Sequence, residues 1–491
     1  MSSLIDIMLP YDEYIKIIQN EYNTAQYFHD SNIDKFKSSK KYIYKWSIDM
    51  YNGTNLLWVQ VDKGQVVEYM CGFFKVIFNL YLDHDKTLSD EKKATLEKLT
   101  NKLNKNQTMK NIFELYEPKI MDDNFYDNLN RYKIDHLPIK DGKVINLTNG
   151  CIRDRVKTDY FTYESNVTYT DKRSPDFITN IRSIMCDNED NMKYLQKILG
   201  YCLTAEMKAR VYFIFYGIGA NGKSMILNLM NKILLNQYQS VSKCVFIDAG
   251  KGKSGGCEAL QLKDCRLATF SETDADDKLN ESLIKMITGG DPITARGLFK
   301  DPVTFKPTSK VILCTNNKPE FNGNDKATVD RVRFIPFSAR FVDNPTKKNE
   351  YKRIEAMDKI IESKYMDEFF SWCVDGAIEY YKNGEFTPPG DILKEQMDYV
   401  KEQSSITNFI DETYDYVETE LVLKTDIKQS YEHWCKENSM KQMKPTTLFT
   451  KIDELYGKSF KSGAKETKNK WVYKGLKMKS DEPISDLDHG I

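Results

Sequence analysis

Eight consecutive residues, Gly217-Ile218-Gly219-Ala220-Asn221-Gly222-Lys223-Ser224, carry the densest chemistry in the chain. They fit the pattern G-x-x-x-x-G-K-[ST], in which glycines let the backbone wrap phosphate oxygens and successive N–H groups supply positive potential. Lys223 is placed to reach the β- and γ-phosphates of a nucleoside triphosphate, and the Ser224 hydroxyl to hold Mg²⁺. Gly217, Gly219, Ala220, Asn221, Gly222, Lys223 and Ser224 are therefore the expected nucleotide-binding residues, with ATP and Mg²⁺ as ligands. An apolar run, 211–216, precedes the loop and a helical pattern, 224–235, follows it, which is the context that the motif requires.

A phosphate loop alone does not separate a motor from a kinase, so the carboxylates, amides and arginines downstream matter. Arg266-Leu-Ala-Thr-Phe-Ser-Glu272 reads as an apolar strand ending in a carboxylate. At the edge of a parallel sheet, Glu272 can polarise an attacking water and help to hold the metal. Ser271, not an aspartate, precedes it, so either Glu272 serves both roles or Asp274 assists. The run KVILCT ends in Asn316-Asn317, where an amide can sense a γ-phosphate and orient water. Asp330-Arg331-Val332-Arg333 stands just before the last strand. An arginine there can reach a neighbouring subunit's phosphate; Arg331 is the first choice and Arg333 the alternative. Taken singly, a strand-end glutamate is more often solvent-exposed, an asparagine a turn, and an arginine a salt-bridge partner. Their order is what gives them weight.

Between these, Thr288 to Lys306 reads as two β-like runs around a turn near Lys300-Asp301-Pro302. Arg296, Lys300 and Lys306 make it a hairpin able to grip a nucleic-acid backbone without reading sequence. The plainer reading is a structural hairpin on a sheet edge.

The elements that must position these groups are legible as periodicity. Apolar runs 211–216, 244–247, 266–270, 310–315 and 332–337 alternate with helical segments, predicting a buried, mainly parallel sheet. Residues 1 to about 130 read as mostly helical, with helices over 68–81 and 89–105. Strand and turn patterns follow over 137–154, then a helix over 191–206. Residues 351–383 return to helix, and TPPG (387–390) reads as a break. Patterns at 406–417, 426–437 and 446–455, followed by a strand at 471–478, suggest a winged helix. Residues 441–479 hold 11 Lys against 3 acids. That balance suits a phosphate-binding surface, with Lys465, Lys468 and Lys470 as contacts, although a solvated lysine face would look the same. The last twelve residues hold four acids and no Lys or Arg, and are expected to be disordered.

At 491 residues the chain has room for two to four domains. The expected division is 1–165 (helical, then β-hairpin), 166–390 (motor with flanking helices), 391–479 (basic winged-helix-like domain) and 480–491 (acidic tail). The 71 Lys+Arg balance 72 Asp+Glu overall, so the basic C-terminal segment is a local asymmetry. No stretch approaches the roughly 18 apolar residues of a membrane span, and the N-terminus lacks a basic leader followed by an apolar core. The expectation is an intracellular protein, in the cytoplasm or a viral replication compartment, with no membrane partner. None of the ten cysteines forms a C-x-x-C pair, which favours reduced, buried thiols over a zinc site.

In order, GIGANGKS, RLATFSE, LNESLIKMITGGDPITARGLF, ILCTNNKP and DRVRFIPFSARF resemble the motifs of superfamily 3 helicases. They are most similar to the branch shared by poxvirus primase–helicase NTPases, satellite-phage replication proteins and giant-virus relatives. The resemblance covers roughly residues 40–340, including a stretch (137–206) like the domain that precedes the motor in that branch. It implies an α/β P-loop AAA+ motor, with a helical or mixed N-terminal domain and a C-terminal winged-helix-like domain. It also implies a homo-hexamer that threads one DNA strand, working in viral replication with a primase or other replication proteins. Glu272 would be the catalytic acid, Asn316 the sensor and Arg331 the finger, with Arg296 or Lys300 contacting DNA. Many members carry an N-terminal primase domain, but residues 1–130 show no pattern for one. One rival reading, an RNA or packaging translocase on the same motor, shares every one of these residues. A second, a non-motor DNA-binding initiator or scaffold, needs no complete set of Lys223, Glu272 and Arg331, and the intact set argues against it.

Overall fold

The computed structural model describes residues 8–39, 42–47, 56–84, 88–131, 133–247, 258–271, 279–297, 301–319, 321, 326–355, 357–438, 440, 442–457, 459–462 and 470–479. The expected disordered tail, 480–491, lies outside them.

The N-terminal helices pack around Tyr14, Phe28, Phe74, Ile112 and Tyr116. Helix Asp90–Leu103 shows why such a charged segment folds. Ser89 caps it by accepting from Lys92 N, Asp90 and Glu91 sit in its first turn, and only Leu96, Thr100 and Leu103 are buried. The region is less helical than its composition suggests. Phe36–Ser39, Tyr42–Ser47 and Leu57–Val61 form a three-stranded antiparallel sheet, with Trp46 directly opposite Trp58. That cross-strand pair joins residues twelve apart, and no local pattern announces it.

The centre of the chain is a five-stranded parallel sheet. Its strands are β1 (Tyr212–Tyr216), β2 (Tyr238–Ser240), β3 (Leu267–Ser271), β4 (Lys310–Thr315) and β5 (Val332–Pro336), in the spatial order β5-β1-β4-β3-β2. All four pairings are parallel. Helices α1 (Glu189–Leu203), α2 (Lys223–Leu234) and α3 (Met366–Asn383) contribute to the core on one face, with Phe213, Phe215, Ile312 and Ile335. Tyr212, Ile214, Val311, Leu313 and Phe334 pack on the other. Burial on both faces explains why these strands read as continuous apolar runs. At the α1–α3 contact the backbones nearly touch: a Cβ on Gly376 would lie 2.0 Å from Gln196 O.

One expected strand is not a strand. Residues 244–246 fall in a short helix, Lys243–Phe246, with Ile247 extended after it, and the edge strand is 238–240 instead. Four apolar residues bury equally well in either conformation, so periodicity cannot choose between them.

The N-terminal edge of the sheet is held by buried cations. Arg266 donates to Leu203 O (2.7 Å) and His136 O (2.8 Å), tying the β3 entry to α1 and to the preceding β-hairpin. Lys310 is fully buried over the Tyr201 ring and donates to Thr204 O. Burial lowers its ammonium pKa to about 7. Between pH 7 and about 10.4 the unfolded lysine therefore holds a proton that the folded one has lost, and this group makes stability rise with pH across that window. Below pH 7 both states are protonated and the cost of burying the charge is fully present. Lys310→Met is expected to be more stable than wild type at pH 7, by on the order of a few kcal/mol, with the gap closing towards pH 10. Urea unfolding of both proteins at pH 7, 8 and 9 checks this; a constant gap would mean that Lys310 does not titrate there.

The C-terminal region runs α4 (Gly390–Thr413), strand Tyr414–Leu423, α5 (Lys424–Glu437), α6 (Pro445–Tyr456), then strands Phe460–Lys461 and Trp471–Met478. The last strand lies between the other two. Phe409, Tyr431, Trp434, Ile452 and Tyr473 form its core. The segment read as one helix, 406–417, changes at Tyr414, where the chain pairs with Met478 and becomes strand. None of the described helices is long and apolar enough to cross a membrane.

Candidate active site

The phosphate-loop sequence joins β1 to α2 at the C-terminal edge of the parallel sheet. Two features of the backbone explain its composition. A Cβ on Gly217 would sit 2.4 Å from both Asn221 Nδ2 and Phe337 O, so only glycine fits. Gly222 enters α2 at φ 89°, a conformation that disfavours other residues. Asn221 donates to Phe337 O (3.2 Å), clamping the loop to the chain leaving β5.

Lys223 is 5% exposed. Its ammonium donates to Gly217 O (2.5 Å), Asn221 Oδ1 (3.1 Å) and Asn316 Oδ1 (3.3 Å). Burial lowers its pKa from the ordinary lysine value. The strand order accounts for the Asn316 contact: β4 is inserted between β1 and β3, with Thr315 level with Tyr216. Asn316 thus emerges beside the loop although 93 residues separate it from Lys223. Ser271, the last residue of β3, is level with Cys314, so β3 ends at this same edge. Glu272 and Asp274 themselves lie outside the described residues. Ser224 is exposed in the first turn of α2, a position from which a hydroxyl can take part in holding Mg²⁺.

Beside the loop lies a cavity of about 360 Å³, bounded by Ile184, Ala220, Met225, Phe341, Tyr351 and Met357. Its apolar walls suit the planar base of a nucleotide whose phosphates occupy the loop. Apart from Ala220 in the loop and Phe341 at the end of DRVRFIPFSARF, no motif marks these residues; they converge from segments up to 173 positions apart. Lys318 is a second group missed in the sequence. Its ammonium lies 5.3–5.7 Å from the ring centroids of Tyr216, Phe334 and Tyr399. Tyr399 belongs to α4 and donates to Pro319 O (2.5 Å), joining the first helix of the C-terminal region to the Asn316 strand end.

The two arginines differ sharply. Arg333 is anchored in its own chain, donating to Phe386 O (3.1 Å), Asp330 O (2.9 Å) and Val332 O (2.7 Å). Arg331 is half-buried, donates to Ala327 O (2.6 Å) and has a buried Nε with no acceptor among the described residues. It stands at the N-terminal end of β5, with its carbonyl accepting from Tyr212 N, at the opposite edge of the sheet from the loop.

Ile293–Arg296 and Pro302–Phe305 form the antiparallel hairpin. Ile293, Ala295 and Phe305 face inward. Arg296 pairs with Pro302 next to the tip, while Lys306 is exposed beyond the base. Lys300 lies outside the described residues. So do Lys465 and Lys468; Lys470 is exposed at the start of the last strand.

The family model described as "Family of unknown function (DUF5906)" matches residues 215–332, the stretch from β1 to the start of β5. The chain is 26% identical over 339 residues to "Putative helicase L207/L206" of Acanthamoeba polyphaga mimivirus, a match covering 64% of this chain and 35% of that protein. It is 24% identical over 214 residues to "Primase D5" of fowlpox virus, covering 40% of this chain and 26% of that protein. Among solved structures, the apo NrS-1 C-terminal region aligns with 68% of this chain and 82% of its own at 11% identity and a TM-score of 0.38. The matched part thus spans about a third or a quarter of each viral relative's length. Built on a mixed α/β fold with a central parallel sheet, the chain is a homologue of the viral proteins that carry these helicase and primase names.

Proposed function

We propose that this chain is an ATP-hydrolysing superfamily 3 motor of the AAA+ type, which assembles as a hexamer and unwinds DNA in viral replication. The observation that carries this reading is the convergence of Lys223, Asn316 and the β3 end leading to Glu272 on one sheet edge. The helicase and primase names of its homologues support the choice of nucleic-acid motor over kinase.

In this reading the loop N–H groups and Lys223 bind the β- and γ-phosphates, and the Ile184–Tyr351 cavity takes the base. Ser224 and Glu272 are the residues that would hold Mg²⁺, which when bound neutralises charge on the phosphate oxygens. Glu272 accepts a proton from the attacking water, and Asn316 orients that water against the γ-phosphate. Arg331 of an adjacent subunit steadies the charge that develops. Force is exerted on DNA through the Arg296–Lys306 hairpin. The α4–α6 region, with its helix-strand-helix-helix-strand-strand order, serves as a winged-helix-like DNA anchor through Lys465, Lys468 and Lys470.

The test is strand displacement on forked DNA with ATP and Mg²⁺. Wild type is expected to release the displaced strand, whereas Lys223→Ala protein leaves the fork intact. ATP hydrolysis without displacement on any fork would remove the helicase assignment while leaving the ATPase.

A further inference from the structure

The basic C-terminal region contains a second cavity, of about 460 Å³, lined by Leu423, Lys424, Lys428, Phe449, Lys470 and Trp471. It lies far along the chain from the nucleotide site, and none of the motor motifs contributes to it. Four elements build it: the end of strand Tyr414–Leu423 supplies Leu423, the first turns of α5 supply Lys424 and Lys428, α6 supplies Phe449, and the last strand supplies Trp471, with Lys470 just before it. Lys424 and Lys428 are four apart on one helix, so they share a face.

Trp471 is the unusual member. The other four tryptophans, Trp46, Trp58, Trp372 and Trp434, are buried, whereas Trp471 is 50% exposed. Its strand neighbours Val472 and Tyr473 are buried in the local core, so core packing accounts for them and not for it. Lysines surround the rings: Lys424 Nζ lies 4.3 Å from the Phe449 centroid and 6.0 Å from that of Trp471, and Lys461 Nζ lies 5.9 Å from the latter. Asp426 and Glu432 of α5 are not among the lining residues, although Glu432 engages one of the lining lysines. Glu432 pairs with Lys428 (3.6 Å), and Asp426 accepts from Thr425 (3.1 Å). An exposed indole ringed by ammonium groups suits a ligand that is planar and aromatic at its centre and anionic on both sides.

We infer that this cavity holds an unpaired nucleobase of single-stranded DNA, stacked on Trp471, with the adjoining phosphates on Lys424, Lys428 and Lys470. A duplex keeps its bases stacked on one another and offers only phosphates to such a site, so the cavity discriminates single strand from duplex. The inference rests on the nucleic-acid reading of this region but not on the motor, and it is tested without ATP.

The full chain is titrated with a short oligothymidylate and, separately, with a blunt duplex. Indole emission is expected to fall with the single strand, and Trp471→Phe should lose that response, since the remaining indoles are buried. Trp471→Ala should weaken single-strand binding by roughly tenfold or more while changing duplex affinity by less than about twofold. Lys424→Ala with Lys428→Ala should flatten the salt dependence by about 0.7 per lost phosphate contact. An unchanged melting temperature shows that the surface substitutions leave the fold intact. Equal losses for single strand and duplex would overturn the inference in favour of a general duplex-binding face. An unchanged emission and affinity in all variants would remove nucleic acid from the cavity. Quenching by an acidic polypeptide as strong as by DNA would assign the cavity to a protein partner instead. Because no arm involves hydrolysis, failure of the motor reading would show in the Lys223→Ala comparison and not here.

Discussion

Lys223→Ala is expected to lower ATP turnover by about 10²- to 10³-fold and to weaken ATP binding, whereas Glu272→Gln should leave ATP bound but uncleaved. The two differ because the proposed roles are separate, Lys223 in holding the phosphates and Glu272 in activating water. Lys223 is buried and points its ammonium at carbonyl and amide oxygens of the loop and of Asn316. A cation held in that geometry will exchange those oxygens for phosphate oxygens at little conformational cost. Truncation removes a charged donor that holds the ground-state phosphates and opposes the larger charge that develops in the transition state, so both affinity and rate suffer. Removing the Glu272 carboxylate takes away proton acceptance from water, a contribution of roughly 10²- to 10⁴-fold that leaves nucleotide contacts in place. Filter binding of labelled ATP beside steady-state hydrolysis separates the two. Near-wild-type turnover in Glu272→Gln would move the catalytic acid to Asp274.

What could be read ahead of the structure follows the range of the interactions. The phosphate loop is local: its glycines, its lysine and the start of α2 lie within eight residues, and each is constrained by backbone geometry that sequence displays directly. The strands of the sheet are legible because burial on both faces forces continuous apolar runs. The antiparallel sheet around Trp46 and Trp58 was not legible, because its stability comes from a cross-strand contact and not from its own periodicity. The apolar cavity beside the loop, the three rings around Lys318 and the exposed Trp471 among lysines share that property. Each is made by residues that the topology brings together from distant segments. The helix Lys243–Phe246 shows the converse limit: a local apolar run that satisfies two conformations equally.

Arg331→Ala is expected to keep ATP binding and ring assembly while losing turnover by about 10³- to 10⁵-fold, because in the proposed motor the arginine acts on a neighbour's nucleotide. The sheet register makes the distance argument. Val332 pairs with Tyr212 and Pro336 with Tyr216, so Arg331 is level with Val211, six residues before Gly217. At about 3.3 Å per residue this separates it from its own loop by roughly 20 Å along the strands. An extended arginine side chain spans less than half of that. Its Nε is buried without an acceptor among the described residues, a cost that a phosphate presented from outside the subunit would relieve. Arg333 is a poor substitute, since its guanidinium already serves three backbone carbonyls of its own chain. Arg333→Ala should therefore lower the melting temperature, whereas Arg331→Ala should not. The decisive measurement mixes Arg331→Ala with Lys223→Ala protein, each nearly inactive alone. In a random equal mixture, about a quarter of head-to-tail interfaces would set an intact Lys223 against an intact Arg331. Turnover should recover towards that fraction if sites act independently, and less if they fire in concert. With subunit exchange verified, a mixture no more active than its components would place the arginine's action within one subunit, and the hexameric reading of the site would fall with it.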